Sequence, residues 1–164
     1  MSAPPELLLM KDNWQSYEEA IYEAFLESFV RPNVTFRGHN VSAPYRPESR
    51  GKHFSFWHVI SEAPHPSNQN EDERIPDLRR CERIRWITWA IQAADAEQDG
   101  ISWWENQRGR DTHVVIWAEE WDFAVILGKR RDYYVLKTAY SNLRSSRIRA
   151  FEKERAAFWR DQKD

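Results

Sequence analysis

Two histidines in an aromatic stretch are the first residues of the chain whose type suggests acid–base chemistry. His53 and His58 lie in the segment GKHFSFWHVIS. An imidazole exchanges a proton near neutral pH, so His58 is a candidate general base or general acid. We interpret residues 54–60 as a β-strand because they are aromatic and β-branched, and on a strand the two histidines face opposite sides and do not share a metal ion. A His58 that only packs in the core is the alternative.

An arginine-rich segment in the middle of the chain has the composition of a phosphate site. It has the sequence RIPDLRRCERIRW, and we predict one continuous helix over residues 76–94. Arg79 and Arg83 then lie one turn apart on the same side, with Trp86 in the next turn. Guanidinium groups bind phosphate in a bidentate fork, and a tryptophan can stack on a base. The alternative is that Glu82 pairs with these arginines on a solvated helix face.

A third polar group lies at the end of the last predicted strand. This strand has the sequence YYVLKTAY. Strand alternation sends one set of residues to one face, namely Tyr134, Leu136, Thr138 and Tyr140, and the other set to the opposite face, namely Val135, Lys137 and Ala139. A threonine and a tyrosine just before a helix start have the character of a site. Ordinary residues of a strand end are the alternative.

The rest of the sequence disfavours several classes of chemistry. Cys81 is the only cysteine, which leaves no internal disulfide and no cysteine-built zinc site. There are five glycines, and neither a phosphate-binding loop nor a dinucleotide fingerprint is present. The acidic cluster Glu119, Glu120 and Asp122 either holds a cation or keeps a turn soluble. We expect no metal site and no small-molecule cofactor.

The elements that must position these groups form an α+β pattern. They are helices over about 13–30, 76–94 and 141–159, strands over 34–37, 54–60, 112–119, 123–129 and 133–140, and polar loops over 38–52 and 64–72. Short links between the last three strands suit antiparallel neighbours. We therefore predict an antiparallel sheet of about four to five strands with helices packed on one face. The 164 residues are expected to form a single domain, with an N-terminal amphipathic helix (1–32), the sheet and central helix (33–140) and a basic C-terminal helix (141–164).

The charged residues are distributed unevenly along the chain. The net charge of −2 is the sum of −5 over residues 1–30, +4 over 31–60, −7 over 61–124 and +6 over 125–164. The two basic blocks form either one basic face or separate solvated surfaces. The acidic first helix either folds over such a face or is a solvated flank. No apolar run is long enough to span a membrane, so we expect a cytoplasmic protein without a membrane partner.

Three segments taken together resemble a known superfamily. The segments FWHVIS, PDLRRCERIRW and YYVLKTAY resemble phage- and mobile-element-associated members of the barnase–EndoU–colicin E5/D–RelE nucleases. The resemblance covers roughly residues 54–149. It implies a RelE-like α+β fold, metal-independent cleavage of RNA and, as in many members, a toxin that is paired with an antitoxin or immunity protein. The low net charge departs from the strongly basic RNase toxins.

The resemblance also implies roles for individual residues. The catalytic set is His58, Arg80, Arg83, Thr138 and Tyr140, and the substrate-binding set is His53, Arg79, Glu82, Trp86 and Lys137. RNA supplies its own nucleophile, the 2′-hydroxyl, so these residues would remove and return protons and hold the phosphate, leaving a 2′,3′-cyclic phosphate. Arg108 and Arg110 are expected to lie in a surface loop and to matter little. The alternative function is a non-catalytic module of the same fold that binds RNA or a protein.

Overall fold

The structure is a computed structural model that describes residues 2–162. In chain order its helices and strands are α1 (Trp14–Phe25), β1 (Thr35–Phe36), β2 (His39–Ser42), α2 (Phe54–Ile60), β3 (Ser61–Glu62), β4 (Ile75–Pro76), α3 (Leu78–Glu82), α4 (Trp86–Asp95), β5 (Ile101–Arg108), β6 (Asp111–Ala118), β7 (Phe123–Lys129), β8 (Tyr134–Ser141) and α5 (Ser145–Asp161). A π-helical turn, Leu26–Val30, extends α1, and 3-10 turns lie at Glu71–Glu73 and Glu119–Trp121. The predicted α+β class is confirmed.

A six-stranded sheet forms the centre of the fold, in the order β1-β2-β8-β7-β6-β5. Every neighbouring pair is antiparallel except β2 and β8, which run parallel. The sheet is therefore larger than predicted and mixed rather than purely antiparallel. Strand β5 was missed because its sequence, ISWWENQR, is polar and has few β-branched residues, although it pairs with β6 along its whole length.

Helices cover both faces of this sheet. On one face α1, α2 and α4 form the main core, which includes Phe25, Phe56 and Ile87. On the other face α5 packs against a second cluster, in which Trp104, Trp117 and Phe151 are fully or almost fully buried. The prediction that the helices lie on one face is therefore wrong. Alternate residues of β6 and β7 point to opposite faces, and both sets are apolar, so both faces need a cover.

Residues 54–60 form helix α2, not the predicted strand. A short apolar run fits both periods, so its neighbours decide which structure forms. The first N–H groups of α2 find acceptors in the preceding loop: Phe54 N donates to Tyr45 O at 3.1 Å and Ser55 N to Pro44 O at 3.0 Å. These bonds satisfy donors that a helix leaves free at its N-terminal end. The sequence does not reveal them, because they depend on how the loop folds back.

The predicted continuous helix over residues 76–94 is two helices. Asp77 caps α3 and accepts hydrogen bonds from the backbone of Arg79 and Arg80, and α3 ends after one turn. Arg83 leaves the helical region with φ −103° and ψ 21°, and α4 starts at Trp86. Side chains before and after this break therefore lie on different surfaces.

A β-bulge in β8 changes which side chains share a face. In the pairing with β7, Leu127 is opposite Leu136 and Ile126 is opposite Thr138, so Lys137 is an extra residue. The alternation shifts by one position beyond the bulge. Ala139 therefore joins Leu136 in the main core, while Lys137, Thr138 and Tyr140 line cavities outside it. The predicted separation of Lys137 from Thr138 and Tyr140 is wrong for this reason.

Candidate functional site

A cleft of about 940 Å³, termed the main cleft, opens beside the second half of β8. Its walls are the C-terminal end of α2, the β3–β4 pair with α3, and the end of β8 with the first turns of α5. His58, Thr138 and Tyr140 line it. So do seven charged side chains, Glu62, Arg74, Asp77, Arg79, Arg80, Arg144 and Arg147. Five of the ten predicted site residues therefore meet at one place.

His58 lies in the last turn of α2 and is held by a carboxylate. Its Nε2 is 2.5 Å from Oε1 of Glu71, and the Phe54 ring centroid lies 4.2 Å from the imidazole centroid. Burial lowers the pKa of His58 below its ordinary value, although Glu71 acts in the opposite direction. A carboxylate only accepts hydrogen bonds, so Nε2 carries the proton and Nδ1 is the basic nitrogen of the neutral ring. This arrangement suits a general base at neutral pH.

Thr138 fixes the helix that carries His58. Its Oγ1 donates to the main-chain carbonyl of His58 at 2.8 Å. Carbonyls in the last turn of a helix have no partner within the helix, so this bond satisfies an acceptor near the end of α2. The resemblance implied a catalytic Thr138. In the structure its hydroxyl holds α2 against β8 and so positions His58.

Arg80 is buried at the base of the main cleft, and its guanidinium is already engaged. Nη1 donates to the carbonyl of Ser61 at 3.0 Å, and Nη2 donates to Oε2 of Glu62 at 3.1 Å. Nε lies 3.7 Å from a carboxylate oxygen of Asp77. Arg74 donates to the same Ser61 carbonyl at 2.5 Å. These two arginines tie β3 to the segment that follows it and have little freedom to bind a phosphate.

Three other arginines give the main cleft its available positive charge. Cζ of Arg147 lies 4.1 Å from the ring centroid of Tyr140, while Cζ of Arg80 lies 5.2 Å from that centroid. Arg79 and Arg144 are exposed. Within residues 2–162 no ion pair involves Arg79, Arg144 or Arg147. These three side chains can bind an anion without giving up an existing carboxylate.

Two buried polar atoms in the wall of the main cleft have no hydrogen-bond partner in the described part of the chain. They are Nε of Arg80 and Oγ of Ser141. Arg80 is 6% exposed and Ser141 is 9% exposed, and both line the cleft. Buried polar atoms are nearly always paired with protein or water in native proteins. Both atoms have almost no accessible surface, so they lie inside the wall and are not groups that a ligand in the cleft contacts.

Three predicted site residues, Glu82, Arg83 and Trp86, lie around the break between α3 and α4 and do not line the main cleft. Trp86 is buried in the core, where its Nε1 donates to the carbonyl of Pro5 at 2.7 Å, so it is not free to stack on a base. Cζ of Arg83 lies 5.0 Å from the centroid of the Trp86 ring, and Arg83 Nη1 is 3.5 Å from Oε1 of Glu82. The phosphate clamp that we predicted from Arg80 and Arg83 together does not form.

His53 also lies outside the main cleft, just before α2, where its Nδ1 is 2.7 Å from Oη of Tyr22. The acidic face of α1 is engaged nearby, because Nζ of Lys52 is 2.6 Å from Oε1 of Glu19. No residue of α1 lines the main cleft. The structure therefore does not show the first helix folded over a basic face.

Lys137 lines a smaller cavity of about 290 Å³, termed the side cavity. The side cavity shares Thr138, Tyr140 and Arg147 with the main cleft. It also contains Arg108, which the sequence placed in a peripheral loop. Arg108 is the last residue of β5, so the expectation that it lies in a surface loop is wrong.

Only weak signals in the sequence point to the other residues of the main cleft. Glu71 lies 13 residues after His58, and the pairing of β3 with β4 closes the loop that brings it back. Arg144 and Arg147 flank the start of α5, and the +6 charge of residues 125–164 was the signal available for them. A block charge does not indicate which arginine faces a cleft.

Comparisons with known proteins add no relative. No family model matches the chain, and comparisons with curated proteins and with solved structures also return no match. Membership of the nuclease superfamily therefore stays a prediction.

Among residues 2–162, no group of three or more His, Cys, Asp or Glu side chains is placed to hold a metal ion. Nor does this part of the chain contain a helix long and apolar enough to cross a membrane.

We expect Thr138→Val to destabilise the protein and Thr138→Ser to have little effect. Valine leaves the His58 carbonyl without its donor, which costs about 1–3 kcal/mol when the acceptor is buried, whereas serine keeps the hydroxyl. Urea unfolding of both variants measures the difference. Equal stabilities would show that the hydroxyl does not hold α2.

We expect the free energy of unfolding to fall as the pH is lowered from 7.5 toward 5. Burial lowers the pKa values of His53, His58 and His113 in the folded protein below the ordinary value of about 6.5. The unfolded chain therefore binds protons first, and stability that is present above pH 6.5 is lost below it. Urea unfolding at several pH values tests this. His58→Gln should reduce the pH dependence; a flat profile for the parent protein would contradict the prediction.

Proposed function

We propose that the protein is an endoribonuclease that cleaves RNA without a metal ion, by attack of the 2′-hydroxyl on the adjacent phosphate. The observation that carries the proposal is the His58–Glu71 pair at the edge of a cleft with free arginines. A neutral, carboxylate-oriented imidazole next to an anion-binding surface is the minimum that this reaction needs. The resemblance in sequence supports the same reaction.

Each step of the reaction has a candidate group in the main cleft. Nδ1 of His58 takes the proton from the 2′-hydroxyl, while Glu71 holds the ring in one tautomer and stabilises the imidazolium that forms. Arg147, together with the exposed arginines 79 and 144, binds the phosphate and the charge that develops on it. We assign Tyr140, which lines the same cleft, to return a proton to the 5′-oxygen as it leaves.

A second candidate function is a non-catalytic module that binds RNA or a protein through the same surface. One observation favours it. Arg80 is already neutralised by Glu62 and Asp77, and Arg83 lies outside the cleft, so neither arginine of the predicted clamp is free. The cations that remain are enough for binding. Whether catalysis follows depends on His58.

The cleavage assay separates these two functions. We expect the purified protein to cleave total RNA in EDTA and to leave 2′,3′-cyclic phosphate ends. His58→Gln should lower the rate on the order of 100-fold or more, because it removes the base. Arg147→Gln should also lower it, by loss of one oriented phosphate contact. Arg110→Gln is the matched control, because Arg110 is an exposed arginine that lines neither cavity.

Three results would contradict parts of this proposal. A requirement for Mg²⁺ together with 5′-phosphate ends would indicate a metal-activated water as the nucleophile. Full activity of His58→Gln would exclude the assigned base. RNA binding without any cleavage, weakened by Arg147→Gln, would favour the binding module.

We also propose that the enzyme acts in the cytoplasm as a toxin and is neutralised by an acidic antitoxin or immunity protein that covers the main cleft. Uncompensated arginines around an open cleft suit such a partner. Expression of the protein alone should slow growth, and a genomically adjacent acidic protein should bind it with an association rate that falls as salt rises. Arg147→Gln and Arg144→Gln should weaken this binding. Harmless expression of the folded protein and no binding by any neighbour-encoded protein would contradict the toxin proposal.

A further inference from the structure

The side cavity is lined by cations without carboxylates, whereas Glu62 and Asp77 also line the main cleft. Its charged lining consists of Arg108, Lys137 and Arg147, and none of the described residues that line it is a carboxylate. Glu154 lies just outside, with a carboxylate oxygen 4.0 Å from Nη2 of Arg108. A concave surface with several cations and little compensation attracts an anion.

The backbone places Lys137 in this cavity by two features. The bulge in β8 makes Lys137 the extra residue and directs it to the same side as Thr138 and Tyr140. Gly128, on the neighbouring strand, leaves the space that the lysine stem occupies: a Cβ at this position would lie 3.0 Å from Cε of Lys137 and 2.9 Å from Cγ2 of Val135. The side chain of Lys137 therefore packs over the backbone of Gly128, where a larger residue would displace it.

His113 is the titratable group that reports on this environment. It lies on β6, opposite Gly128, and lines the side cavity. Burial lowers the pKa of His113, and Lys137 and Arg108 lower it further, while Asp111 acts in the opposite direction. A neutral imidazole at the wall leaves the positive charge to the arginines and the lysine, and it can donate a hydrogen bond to an anion.

We propose that the side cavity binds a second phosphate group of single-stranded RNA, next to the phosphate that is cleaved in the main cleft. The two cavities share Thr138, Tyr140 and Arg147 in their linings and so lie side by side, which lets neighbouring phosphates of one strand reach both. The identification of the ligand as RNA rests on the proposed function, whereas the proposal that the side cavity binds an anion does not.

The other walls of the side cavity favour a single strand over a duplex. Val115, Ile126 and Phe151 form the floor of the side cavity and are almost fully buried, so the side cavity is a small recess of about 290 Å³. A recess of this size suits a phosphate with its ribose and is too small for a duplex. In a duplex the bases are paired and stacked inside the helix and cannot enter a cavity.

The test uses 2′-O-methyl RNA, which lacks the free 2′-hydroxyl and so cannot be cleaved. Binding of a dinucleotide with one phosphate is compared with binding of tri- and hexanucleotides by fluorescence anisotropy at several salt concentrations. Lys137→Gln and Arg108→Gln are the side-cavity variants, and Arg110→Gln is the control. Thermal unfolding verifies that each variant is folded.

We expect the parent protein to bind the hexanucleotide more tightly than the dinucleotide. Each side-cavity variant should lose about tenfold in affinity for the hexanucleotide and less for the dinucleotide. The salt dependence of binding should fall by about 0.7 in log–log slope for each phosphate contact removed. If the parent protein binds and cleaves RNA but the variants lose the same factor for every length, the side cavity is not a phosphate site and the proposed function stands.

A second measurement keeps the anion site testable if RNA is not the ligand. Inorganic phosphate is titrated into the protein, and the ring resonances of His113 are followed by NMR. A saturable shift that Lys137→Gln abolishes, without any RNA binding, supports the anion site and overturns the proposed function. If neither phosphate nor the oligonucleotides produce a response that depends on Lys137, the inference is overturned.

Discussion

The backbone groups at the two ends of α2 constrain most of the site. The helix has seven residues, so most of its peptide groups lie in its first or last turn and need partners outside the helix. The loop carbonyls of Tyr45 and Pro44 accept at one end. At the other end, Thr138 Oγ1 donates to the carbonyl of His58, and Asp77 N donates to Ile60 O at 2.7 Å. Segments far apart in sequence therefore stabilise α2 at both ends, and they position His58 with it.

The same constraint explains why the arginines near α2 differ in role. Arg74 and Arg80 both donate to the carbonyl of Ser61, directly after the helix, and they are surrounded by Glu62, Glu71 and Asp77. Their hydrogen bonds and ion pairs stabilise the wall of the cleft. The arginines at positions 79, 144 and 147 have no such carboxylate in the described chain, so they are available to bind a ligand that enters the main cleft. The arginines around the cleft thus divide into structural and ligand-facing members according to the backbone carbonyls and carboxylates within reach.

The bulge in β8 shapes the wall that this cleft shares with the side cavity. One extra residue moves Lys137 to the side of Thr138 and Tyr140 and returns Ala139 to the main core. Without it, strict alternation would bury part of this polar set or expose part of the apolar set. The absence of a side chain at Gly128 is what gives Lys137 its room. The position of a cation on the surface is therefore set by strand register, and register in turn is set by the apolar residues that must stay buried.

The amino-acid sequence by itself determined the α+β class, the strands β6, β7 and β8, the first and last helices and the segments that carry the cleft. These features follow from local periodicity and from short links, which act over neighbouring residues. Only the tertiary structure decided that residues 54–60 form a helix and that the predicted central helix breaks at Arg83. It also decided that Arg80 forms an ion pair with Glu62, whereas Arg147 forms none within the described residues. It also decided that Glu71 reaches His58. In each case the deciding partner is distant in sequence, and the hydrogen bond or ion pair that it makes has no local signature in the order of the residues.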